Sequence, residues 1–331
     1  GMPASKKDAF AELVWFPVKA TALVNALYVS AEQNRLYAAQ GRALTNEAAA
    51  RTRSLFTADT ALMGWYNRDL AGGRWNHFMD QTHIGYTTWR DPPENSLAAI
   101  PLTEIPMPET ADMGVSPEGS ENAWPGNGGE AILPECDIFN RQTRYVEVFN
   151  KGTSPFTCTL HTAEPWIQVP ESGTVSTEVR FPVKINFDRL PPGRSEGSIA
   201  VRGAGKEVRV RVQAFKPEEP LPQGFRGFVE SNGVVSAEAA HFSRNRAQGK
   251  FSWLEIEGYG HTLSGMRATG PRDERPLDAG EAPCLEYDVF LFGTGSVAVR
   301  PIFGPALNFL PGHAVRYGVS LDDEPVQWIT L

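Results

Sequence analysis

Apolar positions in the first part of the chain recur at helical spacing. From Asp8 to about Gln40, Leu13, Phe16, Ala20, Leu23, Leu27 and Ala31 fall three and four apart, which places them on one face of a long helix. Pro17 lacks an amide proton and so predicts a kink or an early boundary. Thr45 is placed to cap a second helix, in which Ala48, Leu55, Leu62, Tyr66 and Leu70 lie near one face before Gly72 and Gly73 stop it. The two helices predict a hairpin. Both are long, so a third or fourth element is expected to cover their apolar faces, and the segment 72–89 is the nearest in sequence. Residues 8–89 therefore read as a small helical bundle.

The pattern changes after Trp89. Prolines at 92, 93, 101, 106 and 108 exclude helix interiors and central strands, so 90–135 reads as an extended connector with ordered contacts, laid over domain surfaces. From Arg144 the period becomes two. RYVEVFN, PFTCTLHT, VRFPVKINF, GSIAVRG and KEVRVRVQAF are short alternating runs separated by KG, PESG, PPGRSEG and GAG, the cadence of an immunoglobulin-like β-sandwich over 136–215. In the last run Val208, Val210 and Val212 share one face and Arg209 and Arg211 the other, which predicts a strand with one wet side. KPEEPLPQG at 216–224 reads as a linker. GVVSAEAAHF, KFSWLEIEG, APCLEYDVFLF, SVAVRPIF, AVRYGVSL and QWITL then predict a second, jelly-roll-like sandwich over 225–331. Its apolar edge VQWITL would pair with a following strand, so this sandwich reads as incomplete. The expected fold class is multidomain α plus β.

Composition narrows the function classes. With 331 residues and 41% hydrophobic positions, the chain is long enough for two or three domains with their own cores. A net charge of −8 with no compensating basic block argues against a nucleic-acid partner. No uninterrupted apolar run reaches the roughly 20 residues of a bilayer span, and GMPASKKDAF has no signal-peptide core, so no membrane partner is expected. Gly1 before Met2 reads as a tag remnant. Cys136, Cys158 and Cys284 are odd in number and widely spaced, which fits neither a zinc ribbon nor a disulfide framework and predicts reduced thiols.

The densest chemistry lies in GGRWNHFMDQTHIGYTTW at 72–89. His77, Asp80 and His83 stand three and six apart; on a helix the i, i+3 pair shares a face, i+6 diverges by roughly 120 degrees, and Gly85 soon breaks the segment. An HExxH spacing is absent, so the reading favours hydrogen bonding over a metal, and no metal or other cofactor is expected. Trp75, Tyr86 and Trp89 offer flat apolar faces to a sugar ring, with Asn76, His77, Asp80 and Gln81 able to bond its hydroxyls, but tryptophans serve as readily as domain-interface anchors. Elsewhere there is no GxSxG elbow, no Walker-type phosphate loop and no GxGxxG after a strand. GNGGE at 126–130 reads as a turn, Asp322 and Asp323 as solvated turn residues, and Glu238 as a calcium ligand or a paired carboxylate. No catalytic residue is identified.

Several long stretches carry a resemblance. LVWFPVKATALVNALYVSAEQNRLYAAQGRA, AGGRWNHFMDQTHIGYTTWRDPP, MGVSPEGSENAWPG and RYVEVFNKG resemble the C-terminal half of glycoside hydrolase family 115, the xylan α-glucuronidases, and VVSAEAAHFSR, WLEIEGYGHTLSGM and YGVSLDDEP look like that family's terminal sandwich motifs. The resemblance implies a helical bundle, a β-sandwich and a carbohydrate-binding-module-like sandwich, following a catalytic (β/α)₈ barrel. No βα repeat precedes Asp8, so the barrel with its acid and base is expected to be missing and the chain to be inactive alone. The implied role is accessory: Trp75, Asn76, His77, Asp80, Gln81, His83, Tyr86 and Trp89 would face the barrel and its pocket. Glu238 and Trp253 are the carbohydrate-binding candidates of the last sandwich, although Ala240 stands where the family has a second acidic residue. The expected partners are the barrel and xylan-derived carbohydrate, with a homodimer left open, and the expected location of the full-length protein is periplasmic or extracellular. The alternative is a stand-alone carbohydrate-binding or scaffolding protein without catalysis.

Overall fold

The computed structural model describes residues 2–271, 277–305 and 314–331. It divides into two compact units, Gly1–Pro217 and Glu218–Leu331.

The first unit begins with a helical stretch. A short α1 (Lys7–Phe10) runs through a π-helical turn at Ala11–Trp15 into α2 (Phe16–Gln40), with Pro17 in the first turn. The wider turn sits where Pro17 removes an amide donor, so the boundary expected there is a local change of helix pitch. After Gly41 in the left-handed conformation (φ 69°), α3 (Thr45–Arg68) returns antiparallel. Phe16, Leu23, Leu62, Tyr66 and Leu70 form one buried cluster between them. By length and composition alone, Lys7–Gln40 is also long and apolar enough to cross a membrane. Counting uninterrupted apolar residues missed this because Lys19, Asn25 and Ser30 break the run. Leu13, Val14, Trp15, Val18 and Val29 of this stretch are exposed.

The expected bundle is a two-helix hairpin. No third helix covers it: beyond the turn Leu70–Gly72, the segment to Trp89 is built of turns and loop. The cover is the 72–89 loop together with the proline-rich strap, Ile84 of the loop and Ile100 of the strap being buried against Leu27 and Ala31. Prolines deny the strap a ladder, so helix side chains bond its backbone. Asn34 exchanges hydrogen bonds with Thr103 (2.8 Å each way), and Asn46 with Ile105 (2.9 Å each way).

Beyond the last of those prolines the strap becomes a strand. β1 (Met113–Pro117) pairs with β4 (Arg144–Asn150), and the sheet continues to β8 (Glu178–Ile185) and β6 (Ile167–Gln168). The facing sheet runs β2 (Ala131–Ile132), β10 (Lys206–Lys216), β9 (Gly193–Gly203), β5 (Phe156–His161) and β7 (Ser172–Val175), with β3 (Cys136–Asp137) also on β10. Val146, Val148, Phe181, Ile199, Val201, Val208, Val210 and Val212 fill the space between them. Alternation is visible in β5, where Phe156, Cys158 and Leu160 are buried and the residues between are exposed.

Arg42, in the turn between the helices, ties the hairpin to this sandwich. It is 1% exposed and donates to Gln40 (2.6 Å), Glu178 (2.8 Å) and Glu147 (2.6 Å), with its guanidinium carbon 4.2 Å from the Phe149 ring centre.

In the second unit the described strands pair two by two. β11 (Phe228–Val229) lies parallel to β16 (Val289–Phe290), while β12 (Arg244–Arg246) with β15 (Cys284–Glu286), β13 (Ser252–Ile256) with β14 (Gly265–Thr269), and β17 (Arg316–Val319) with β18 (Gln327–Thr330) are antiparallel. GVVSAEAAHF and SVAVRPIF, expected as strands, form none. The molecule is an α plus β chain, mostly β with an N-terminal helical part.

Candidate functional site

The loop 72–95 is shaped by its ends. Ala71 (φ 52°), Gly72 (φ 68°) and Gly73 (φ 79°) occupy the left-handed region in succession and turn the chain back along α3, a path that glycine follows without a Cβ penalty. Trp75 then packs half-buried on the helical cluster, its ring 5.8 Å from that of Phe78. Asn67 of α3 clasps the next residues: its amide nitrogen donates to the Met79 carbonyl (3.2 Å) and Asp80 Oδ1 (3.1 Å), and its oxygen accepts from the Met79 amide (3.0 Å). Asp80 Oδ2 meets His77 Nδ1 at 2.7 Å. This i, i+3 pair forms in a turn, with His77 at φ 67°, and both side chains stay exposed.

A second set of bonds fixes the loop further on. His83 Nε2 lies 2.8 Å from Oδ2 of Asp59, a residue of α3 only 1% exposed, and Nδ1 lies 3.1 Å from the Gln81 carbonyl. Asn95 accepts from the amides of His83 (2.7 Å) and Ile84 (2.9 Å), and the Tyr28 hydroxyl accepts from Gly85 (3.1 Å). Tyr86 and Gln81 both donate to Asp91. That hydrogen bond, with partial burial and the Asp91 charge, pushes the Tyr86 hydroxyl up from its ordinary value.

The eight loop candidates therefore split into two groups. His83 and Trp75 are anchors. Asn76, His77, Asp80, Gln81, Tyr86 and Trp89 stand on the exposed surface, Trp89 at 86%. Among the described residues no His, Cys, Asp and Glu group has the makings of a metal site. The residues that hold the loop, Tyr28, Asp59, Asn67 and Asn95, escaped the sequence reading. Asp59 and Asn67 carried a signal, since each is a polar residue beside the buried Leu62 and Tyr66 of α3. Glu238 and Trp253 are not joined by any hydrogen bond among the described residues: Thr262 donates to Glu238, and the Trp253 indole donates to the Pro283 carbonyl (3.0 Å).

What the arrangement offers is a stiff, aromatic and hydrogen-bonding surface. Residues 227–331 match the model of the glycosyl hydrolase family 115 C-terminal domain. No significant match is found among curated proteins. Among solved structures, similarity is found to WR4, a C. elegans MSP family member (12% identity, 22% of this chain and 83% of that one, TM-score 0.18). It is also found to the PapD-like domain 7 of human CEP192 (12%, 38% and 100%, TM-score 0.25) and to the YadV chaperone (13%, 48% and 67%, TM-score 0.24). At these TM-scores the likenesses carry no argument about function.

Proposed function

We propose that this chain is the accessory C-terminal region of a xylan α-glucuronidase, an enzyme that removes glucuronic or 4-O-methylglucuronic acid from xylan, and that its loop 72–89 faces the catalytic barrel of the full-length protein. The observation that supports this most is the loop's construction. Exposed Asn76, His77, Phe78, Tyr86 and Trp89 ride on a base pinned to both helices, so the entropy of ordering a contact surface is already spent before a partner arrives. Two carboxylates here are engaged, Asp80 by His77 and Asn67, and Asp91 by Tyr86 and Gln81. Glycoside hydrolysis needs one carboxyl as acid and another as base or nucleophile across the scissile bond. In this reading the loop positions and shields, while the barrel supplies the chemistry.

The test uses aldouronic acids as substrate. The chain alone is expected to give no turnover above buffer. In the full-length protein, Trp75→Ala, Asn76→Ala and His77→Ala are expected to lower kcat/KM by about tenfold or more, equivalent to ~1.4 kcal/mol, while the melting temperature moves little for Asn76 and His77. Turnover by the chain alone, or full activity in all three variants, would overturn the proposal.

A further inference from the structure

The first unit also holds a cleft of about 540 Å³, well away in sequence from the loop, where the chain between β1 and β2 meets β9 and β10. That volume lies within the roughly 300–1,000 Å³ of small-molecule sites. Trp124 lines it and is held on three sides. Its backbone exchanges hydrogen bonds with Val115 (2.8 and 2.9 Å), its indole nitrogen donates to the Gly129 carbonyl (2.6 Å), and its ring packs against the sandwich core. The turn seen in GNGGE thus has a use, since it fixes an aromatic wall.

The polar lining is equally preset. Arg211 donates to Glu130 (2.8 Å) and Glu196 (3.1 Å), Gln213 donates to Glu196 (3.0 Å), and Thr162 donates to Glu164 (2.7 Å). Each carboxylate is thereby aimed and still has lone pairs free to accept. Burial pushes the Glu164 carboxyl up, but the Thr162 hydroxyl and backbone amides outweigh it and hold the group below its ordinary value. On the donor side, the Arg209 side chain is exposed and has no hydrogen-bond or ion-pair partner among the described residues.

We propose that this cleft binds a neutral oligosaccharide, one pyranose ring resting on the Trp124 indole while Glu196, Arg209 and Arg211 bond its hydroxyls. A sugar suits the site because it presents an apolar ring face together with vicinal groups that both donate and accept. Four carboxylates, Glu130, Glu164, Glu196 and Glu207, stand against two guanidiniums, Arg209 and Arg211, so an acidic ligand is repelled. A metal is disfavoured because Arg202, Arg211 and Thr162 already engage those carboxylates.

Isothermal titration of the full chain tests this with xylohexaose, cellohexaose and mannohexaose, and with aldotetraouronic acid and pentalysine as charged counterparts. At least one neutral hexaose is expected to bind with one-to-one stoichiometry and more tightly than either charged probe. Glu196→Gln and Arg209→Ala are each expected to weaken it about tenfold, or ~1.4 kcal/mol. Trp124→Ala should abolish binding, but it also disturbs the core, so the exposed, unpartnered Arg209 is the arm that misfolding does not confuse. Three results would overturn the proposal: no binding by any neutral hexaose, preference for a charged probe, or binding unchanged in both Glu196→Gln and Arg209→Ala. His77→Ala should leave this binding intact, so failure here and failure of the loop's role are separable.

Discussion

Replacing Arg42 with alanine removes a charge that is only 1% exposed. The guanidinium holds three hydrogen bonds at 2.6–2.8 Å and sits near the rings of Phe149 (4.2 Å) and Tyr37 (4.8 Å). Truncation strands its carboxylate partners, Glu147 and Glu178, whose side chains are 13% and 27% exposed. Breaking one side of a buried pair costs about 3–5 kcal/mol, and a desolvated cation–π contact adds ~2 kcal/mol. Two features reduce the sum. Arg180 still bonds Glu147 (2.7 Å), and Glu178 reaches some water. The expected loss is therefore about 4 kcal/mol, a large part of the roughly 5–15 kcal/mol that a typical protein has. For a unit of this size that corresponds to a melting midpoint lower by about 8–16 °C. Urea and thermal unfolding followed by circular dichroism at the helix signal measure it. Arg35→Ala serves as the control, since its pair with Glu32 has both side chains more than half exposed and should show no resolvable loss. A change under about 1 kcal/mol for Arg42→Ala, the scale of a surface ion pair, would refute the reasoning.

Asp59→Ala removes the acceptor of His83 and should free the loop, which trypsin would report by faster cleavage at the exposed Arg74 and Arg90; unchanged digestion would show that Asn67 and Asn95 suffice. Burial pushes the thiols of Cys136, Cys158 and Cys284 up, yet only Cys284 is exposed, so a disulfide-exchange reagent should label one thiol promptly and the other two after unfolding. The hydrogen bond from Arg244 holds the Glu286 carboxyl below its ordinary value, with Arg246 helping and partial burial opposing. Its contribution to the β12–β15 ladder is thus fully present above the unfolded value and lost as pH falls through the folded one. An NMR titration of Glu286 should give a midpoint below that of a free glutamate, and a midpoint at or above it would contradict the ion pairs.

The elements legible in the sequence are those whose burial alternates. β5, β8, β9 and β10 lie within a few residues of the expected runs because one face of each meets the core, and β4 is found at its full extent although Val148, Phe149 and Asn150 are buried in succession. β1 escaped because all five of its residues are buried, which erases the period, and because it follows a run of prolines. β2 and β3 have two residues each, too few for any pattern. In the second unit, alternation predicts an incomplete sandwich, and the described strands pair two by two. None of its described side chains is fully buried, and GVVSAEAAHF and SVAVRPIF find no partner strand.

At the loop, helical spacing suggests that His77 and Asp80 share a face. His77 and Asp80 pair, but the helical spacing that suggested it is not the cause; a left-handed residue in a turn brings the rings and carboxylate together. His83 does not join them, since Asp59 draws it to α3 from 24 positions away. Apolar periodicity locates helix faces yet is silent about which polar residue on that face will be used. The useful signal was therefore the exception: Asp59 shares a face with Leu62 and Tyr66, where an unpaired carboxylate would be costly, so a distant donor was required. The same logic finds Arg42, a buried cation in a two-helix turn, whose carboxylate partners had to come from the sandwich. Both residues stabilise the unit by joining segments far apart in sequence, and the exposed aromatic loop depends on the first of them for its shape.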